Sequence, residues 1–250
     1  VNGFDRLNRF AMVPENDPVE GYNMRMFLDR MNRYDYVVSH GSVISVPFDS
    51  ASNEAVAEGL VALGDYAVID WILGEESIAD ETLSAAERAV LAAYLDGGGA
   101  LFISGSELAW DLVDQGRDPT FCQTYLHADY VGDDAGTYTV SPTSGGIFDG
   151  LGWLYFDADG EYDADFPDRL SPRAGAQVAL NYFGGTVDGA AIQYADGCQR
   201  VVYFGFPFET LWPEQRGPVM SRVLDFLMGL EAEISSPADH YAYRTIPVFT

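Results

Sequence analysis

ALFISGSELAWDL, residues 100–112, joins an apolar run, Ala100 to Ile103, to Ser104-Gly105-Ser106 and then to a helix start at Glu107-Leu108-Ala109-Trp110. A strand, a tight turn of small residues and a helix in that order form the layout of a nucleophile elbow. Such a turn lifts one side chain and a row of free backbone N–H groups above the sheet edge, where α/β proteins place their sites. The stretch holds no cysteine and no complete G-x-S-x-G pattern. It has the outline of an active site without an evident nucleophile.

Working outward from this turn, strand and helix signals alternate through the first half, which predicts a parallel sheet flanked by helices. Val1–Phe4 reads as a first strand, Gly21–Ser45 as helical with a break before Asp35, and Val46–Phe48 as a short strand. Ser52-Asn53-Glu54 opens a helix through Leu63, and Tyr66–Leu73 is a nearly all-apolar strand of the buried parallel type. Ser84 and Glu87 form a capping box for a helix over Ala85–Leu95, which Gly97-Gly98-Gly99 ends. After about Thr120 the texture becomes aromatic and rich in Gly and Asp. Strand signals at Gly136–Val140, Trp153–Phe156, Gln177–Tyr182, Ala190–Tyr194 and Arg200–Phe206 predict an antiparallel extension. Gln215–Leu230 reads as an amphipathic closing helix on the parallel layer. The expected organisation is one α/β domain over 1–230, its β-rich extension at about 120–200, and a tail or linker over 231–250.

Composition limits the partners. The 250 residues are 48% apolar, enough for a sizeable core, and carry a net charge of −26. All 13 basic residues are arginine; lysine is absent. That charge argues against nucleic acid and anionic membrane surfaces, and no apolar run is long enough for membrane insertion. It favours a secreted or cell-surface location, and the chain reads as a piece of a longer secreted protein with other domains as partners. Cys122 and Cys198 are equally compatible with one disulfide and with two separate thiols.

The predicted strand order gathers chemistry at the carboxyl edge of the sheet. Asp5 and Arg6, Glu75 and Glu76, Ser104, Ser106 and Glu107, and Glu209 follow successive strands, with Trp110 beside them. Carboxylates around a hydroxyl and an arginine suit acid–base work or a divalent metal. The plainer reading of Glu76 and Glu107 is helix capping. The loop Asp157-Ala158-Asp159-Gly160-Glu161-Tyr162-Asp163-Ala164-Asp165 reads either as an irregular Ca2+ site through Asp157, Asp159, Asp163 and Asp165 or as a solvated acidic turn. Tyr162 and Asp168 stand where an EF-hand needs glycine and glutamate.

YAVIDWILGEES (66–77), GGGALFISGSELAW (97–110) and VVYFGFPFETL (201–211) together resemble class I glutamine amidotransferase-like, flavodoxin-like domains. VNGFDR, FDSASNEAV, YLHADYV, DDAGTY and GFPFET resemble a bacterial subgroup, xanthan-lyase-like or golvesin-associated, found in secreted multidomain proteins. The resemblance covers 1–230. Catalytic members of the superfamily place a cysteine at the elbow and a His-x-Glu after a late strand. Here the elbow offers serines, and Pro207 stands at the histidine place while Glu209 matches the acid. Glutamine hydrolysis is therefore not implied.

A serine nucleophile would need a base. His127 is the candidate, giving a Ser106–His127–Glu209 site, with a structural histidine as the plainer reading; His40 suits a helix-end contact. The main functional reading is a non-catalytic or altered amidotransferase-like module that binds a saccharide, another polar ligand or a metal, or serves in assembly. The alternative is a hydrolase of polysaccharide or cell-envelope material working through the acidic cluster. Homo-oligomers could form through the alternating tail Tyr241–Thr250 adding to a sheet edge.

Overall fold

Three glycines stop a helix and start the central strand, and the chain is built around that join. The computed structural model describes residues 1–4, 10–13, 23–26, 35–74, 81–157, 162, 164–184 and 188–230. Strands β1 (Phe10–Val13) and β2 (Asn23–Met26) form a separate antiparallel pair, followed by helices α1 (Tyr36–Gly41) and α2 (Asn53–Ala57). Then come β3 (Ile69–Gly74), α3 (Ala85–Asp96), β4 (Ala100–Gly105), α4 (Pro119–Tyr125), β5 (Ala128–Gly132), β6 (Thr139–Pro142) and β7 (Leu154–Tyr155). Finally β8 (Arg169–Pro172), β9 (Gln177–Tyr182), β10 (Gly189–Ala195) and β11 (Arg200–Phe204) precede α5 (Pro213–Leu227).

Nine strands make one sheet in the order β3-β4-β11-β10-β9-β6-β7, with β8 joining β10 and β5 joining β8. Among the named strands of this sheet β3/β4 and β4/β11 pair in parallel and the others antiparallel, and Asn2 adds a single parallel bridge to Ile72 of β3. The sheet is mixed and strongly curled into a half-barrel, which corrects the expected flavodoxin-like parallel sheet flanked by helices. The physical reason lies in the connections. A parallel pair needs a crossover such as α3 between β3 and β4, whereas the short link between β10 and β11 can only return the chain antiparallel. Two further expectations are corrected. The segment read as helical from Gly21 contains β2, with helix among its described residues at Tyr36–Gly41, and Val46–Phe48 pairs with no described strand of the sheet.

Alternating side chains on the parallel strands feed two cores. Phe102, Val202 and Phe204 face α5, where Val219, Met220, Val223 and Leu224 are buried. Trp71, Leu73, Leu101, Ile103 and Tyr203 face the other way, against Leu91 and Leu95 of α3. Gly105 permits the close approach at the end of β4, because a Cβ there would stand 2.5 Å from that of Leu73.

The capping box is present. Ser84 Oγ accepts from Glu87 N at 3.3 Å, and Glu87 Oε2 accepts from Ser84 N at 2.6 Å. Glu87 Oε1 also accepts from Asn53 Nδ2 at 2.9 Å, tying α3 to α2. Ser84→Ala is expected to cost about 1 kcal/mol in denaturant unfolding, the usual value of a lost N-cap. Glu87→Ala should cost more, since it also removes the acceptor of Asn53 Nδ2.

Candidate functional site

The elbow forms at the end of β4, and its unusual residue is Glu107. Ser106 N donates to Gly74 O at 3.1 Å, holding the turn to β3. Glu107 then takes φ +59°, a left-handed conformation that costs an L-residue about 1–2 kcal/mol. Its carbonyl accepts from Asp111 N at 2.9 Å, so it starts the following helix, which widens over Trp110–Asp114 as Gln115 N reaches Trp110 O at 3.0 Å. Wide turns of this kind recur at functional sites. Asp111, fully buried, fixes this one by accepting from Thr82 N, Thr82 Oγ1 and Arg117 Nε at 2.9–3.1 Å.

Behind the elbow stands Asp168, also fully buried. It accepts from Ala109 N at 2.6 Å, Trp110 N at 3.2 Å and Tyr203 Oη at 3.3 Å. Burial pushes its carboxyl well above the usual range; the Ala109 and Trp110 N–H groups oppose that, while the charges of Asp133 and Glu107 reinforce it. Glu107 and Asp168 are thus neighbouring carboxyls, and Glu107 is 8% exposed. Ser104 and Ser106 are fully buried, with no hydrogen-bond partner for either hydroxyl among the described residues.

Glu209 belongs to a second network. His40, on α1, places Nδ1 2.7 Å from Asp70 Oδ2 and Nε2 3.2 Å from Glu209 Oε2. Tyr162 Oη donates to Glu209 Oε1 at 2.8 Å, and the His40 ring meets Phe208 edge-on at 4.6 Å. Burial alone would lower the pKa of His40, but the charges and hydrogen bonds of Asp70 and Glu209 together raise it to about 9. The ring is therefore an imidazolium at neutral pH, donating from both nitrogens.

The Ser106–His127–Glu209 arrangement is not assembled. His127 stacks on Tyr194 with ring centroids 3.4 Å apart, and its Nε2 accepts from Gln199 Nε2 at 3.3 Å. Burial lowers its pKa to about 4. Gln199 precedes Arg200, whose partner on β4 is Ala100, whereas Ser106 lies past the other end of that strand. At about 3.3 Å per residue the two positions are roughly 20 Å apart. Trp110 is half-buried at the start of the wide turn.

Asp5, Arg6, Glu75, Glu76, Asp159 and Asp163 lie outside the described residues, as does the tail Tyr241–Thr250. Asp157 has φ +78° and accepts from Ala164 N at 3.3 Å. Among the described residues, no group of three or more His, Cys, Asp or Glu side chains is arranged to hold a metal. Cys122 is a buried free thiol and Cys198 an exposed one, so they are not paired. No described helix is long and apolar enough to cross a membrane. Sequence reasoning missed Asp168 and the pairing of His40 with Glu209. No local pattern marks either, since the partners lie 59 and 169 residues apart.

No protein-family model matches the chain, and no curated protein does. Solved structures do. The β-galactosidase of Bacillus circulans sp. alkalophilus aligns with a TM-score of 0.54 and 12% identity over 78% of this chain and 27% of its own. The cold-adapted β-galactosidase of Rahnella sp. R3 gives 0.52 and 13% over 82% and 27%. A cytoplasmic protein of Salmonella typhimurium gives 0.56 and 11% over 91% and 96%. The likeness is one of fold. The chain spans about a quarter of the β-galactosidase chains it resembles. With the mixed, curled sheet, these neighbours replace the expected membership among class I glutamine amidotransferase-like, flavodoxin-like domains.

Proposed function

We propose that the chain is a carbohydrate-directed hydrolase domain in which Glu107 is the reacting carboxylate. The observation that carries this is the φ of +59° at Glu107, at the carboxyl end of the central parallel strand. Strain of this kind persists where the surrounding structure enforces it, and it clusters at working sites. Here Asp168, Asp111 and the Ser106–Gly74 hydrogen bond do the enforcing. Asp168 is a positioning residue: it is fully buried and holds the helix start that follows Glu107. Glycoside hydrolysis takes two carboxyl groups, and Glu75, one residue past Gly74, is the candidate for the second. Fold likeness to part of two β-galactosidases supports the choice of substrate class. A net charge of −26 without lysine supports a secreted or cell-surface setting.

The test is sugar release from a panel of nitrophenyl glycosides, β-galactoside included, and from polysaccharide. Glu107→Gln is expected to lower turnover about 10²-fold, the usual scale for losing a general acid or base. Glu107→Gly should abolish turnover yet stabilise the fold by about 1 kcal/mol, because it removes the Cβ from the left-handed position. A wild-type protein that releases no sugar overturns the reading.

A further inference from the structure

We propose that the chain binds a small organic ammonium, a compact hydrocarbon carrying one amine, in a cavity at the amino end of β3. The cavity encloses about 220 Å³. Val37, Ile44, Val61, Val68, Leu224 and Met228 supply apolar walls, and His40 and Asp70 supply the polar end. It lies at the opposite end of the parallel strands from the elbow, because Asp70 is the second residue of β3 while Glu107 lies two residues past the end of β4. The inference is independent of the hydrolase reading.

Three observations select the ligand. First, Asp70 Oδ2 is committed to His40 Nδ1, whereas Oδ1 is buried with no hydrogen-bond partner among the described residues. The nitrogen of Val1 donates to the backbone carbonyl of Asp70 at 2.5 Å and leaves Oδ1 unmatched. A buried acceptor without a donor costs about 1–3 kcal/mol, more when charged, so a bound donor there gains that difference. Second, the charge is acidic. One imidazolium is shared between Asp70 and Glu209, which leaves that cluster a net single negative charge. Asp49, accepting from Tyr66 Oη at 3.0 Å, adds another; against these the described lining sets the amino group of Val1, whose charged form burial disfavours, and no arginine. An anion is repelled and a cation is matched. Third, the size is small. A cavity of about 150 Å³ takes up benzene, so this one accommodates a body slightly larger. The walls offer a sugar's hydroxyls few partners, and the apolar lining continues to solvent through Val46 and Phe48, 37% and 51% exposed.

Titration calorimetry of the whole chain at pH 7 with benzylamine, benzyl alcohol, toluene and benzoate tests the assignment. Benzylamine is expected to bind at least about tenfold more tightly than toluene, a difference of about 1.4 kcal/mol, and benzoate not at all. Asp70→Asn should weaken benzylamine by a similar factor. Because that change also disturbs His40, Ile44→Trp provides an independent arm: it fills the cavity, leaves the acidic cluster intact and should abolish binding with the circular dichroism spectrum unchanged. Toluene binding as tightly as benzylamine, benzoate binding, no benzylamine binding at millimolar concentration, or unaltered binding to a folded Ile44→Trp protein would each overturn the proposal.

Discussion

Replacing His40 with alanine is expected to destabilise the chain by about 3–5 kcal/mol, the cost of breaking a buried ion pair from one side. The ring is 1% exposed and donates to Asp70 and Glu209 at once, so its loss strands two carboxylates, one of them fully buried. It also opens a void beside Phe208 and Phe102, whose rings lie 4.6 and 6.3 Å from that of His40. Urea unfolding at pH 7 measures the loss. The same network predicts how the wild-type protein responds to pH. His40 has a pKa of about 9 in the folded chain against the ordinary histidine value of 6.5, so folding binds a proton more tightly. The associated stability is complete below pH 6.5 and is lost as pH rises through 9, amounting to about 3 kcal/mol across that span. A His40→Leu protein should lack this decline. A wild-type profile that is flat between pH 6.5 and 9 would show that the ring is not charged in the folded chain.

The contrast between His40 and Ser84 shows what the sequence could disclose. Ser84 and Glu87 are three residues apart, and the box they form is written in that spacing, as are the glycine stop at 97–99 and the strand that follows it. The strands at Gln177–Tyr182, Gly189–Ala195 and Arg200–Phe204, and the closing helix α5, were legible for the same reason: each carries its own period. The antiparallel pairing of the second half was legible too, whereas the joining of all these strands into one curled sheet was not, because it depends on how elements connect. β5 pairs with β8 across an intervening pair of strands, and β7 is two residues long. β2 is four residues from a stretch with apolar positions at helical spacing, too short for periodicity to separate strand from helix. At the elbow the turn was visible, but the residue at its apex was not. Small serines suggested themselves, whereas the left-handed conformation falls on Glu107, where no propensity would place it. Asp168 stood out only as the residue in place of an EF-hand's glutamate, yet it serves a helix start 59 residues earlier.

That role makes Asp168→Ala the second large expected effect, on the order of 3 kcal/mol, since each buried group left without a partner costs about 1–3 kcal/mol. Three donors lose their acceptor: Ala109 N, Trp110 N and the buried Tyr203 Oη. The backbone of Asp168 should stay in place, because its N–H donates to Gly205 O at 2.7 Å and its carbonyl accepts from Tyr182 Oη at 2.9 Å. A Cβ on Gly205 would come 2.5 Å from that carbonyl, so the two segments pack backbone to backbone. Asp168→Asn keeps the volume and one acceptor and should cost about half as much as alanine, while Tyr203→Phe should cost about 1 kcal/mol, the net value of one hydrogen bond. The damage should also be local. Hydrogen exchange at the Ala109 and Trp110 amides is expected to accelerate in Asp168→Ala beyond the global change, while amides in α5 follow only the global change. Uniform acceleration throughout the sheet would mean that Asp168 supports the core at large rather than the helix start behind Glu107. In that case the strain at Glu107 would have to be held by Asp111 and the Ser106–Gly74 hydrogen bond alone.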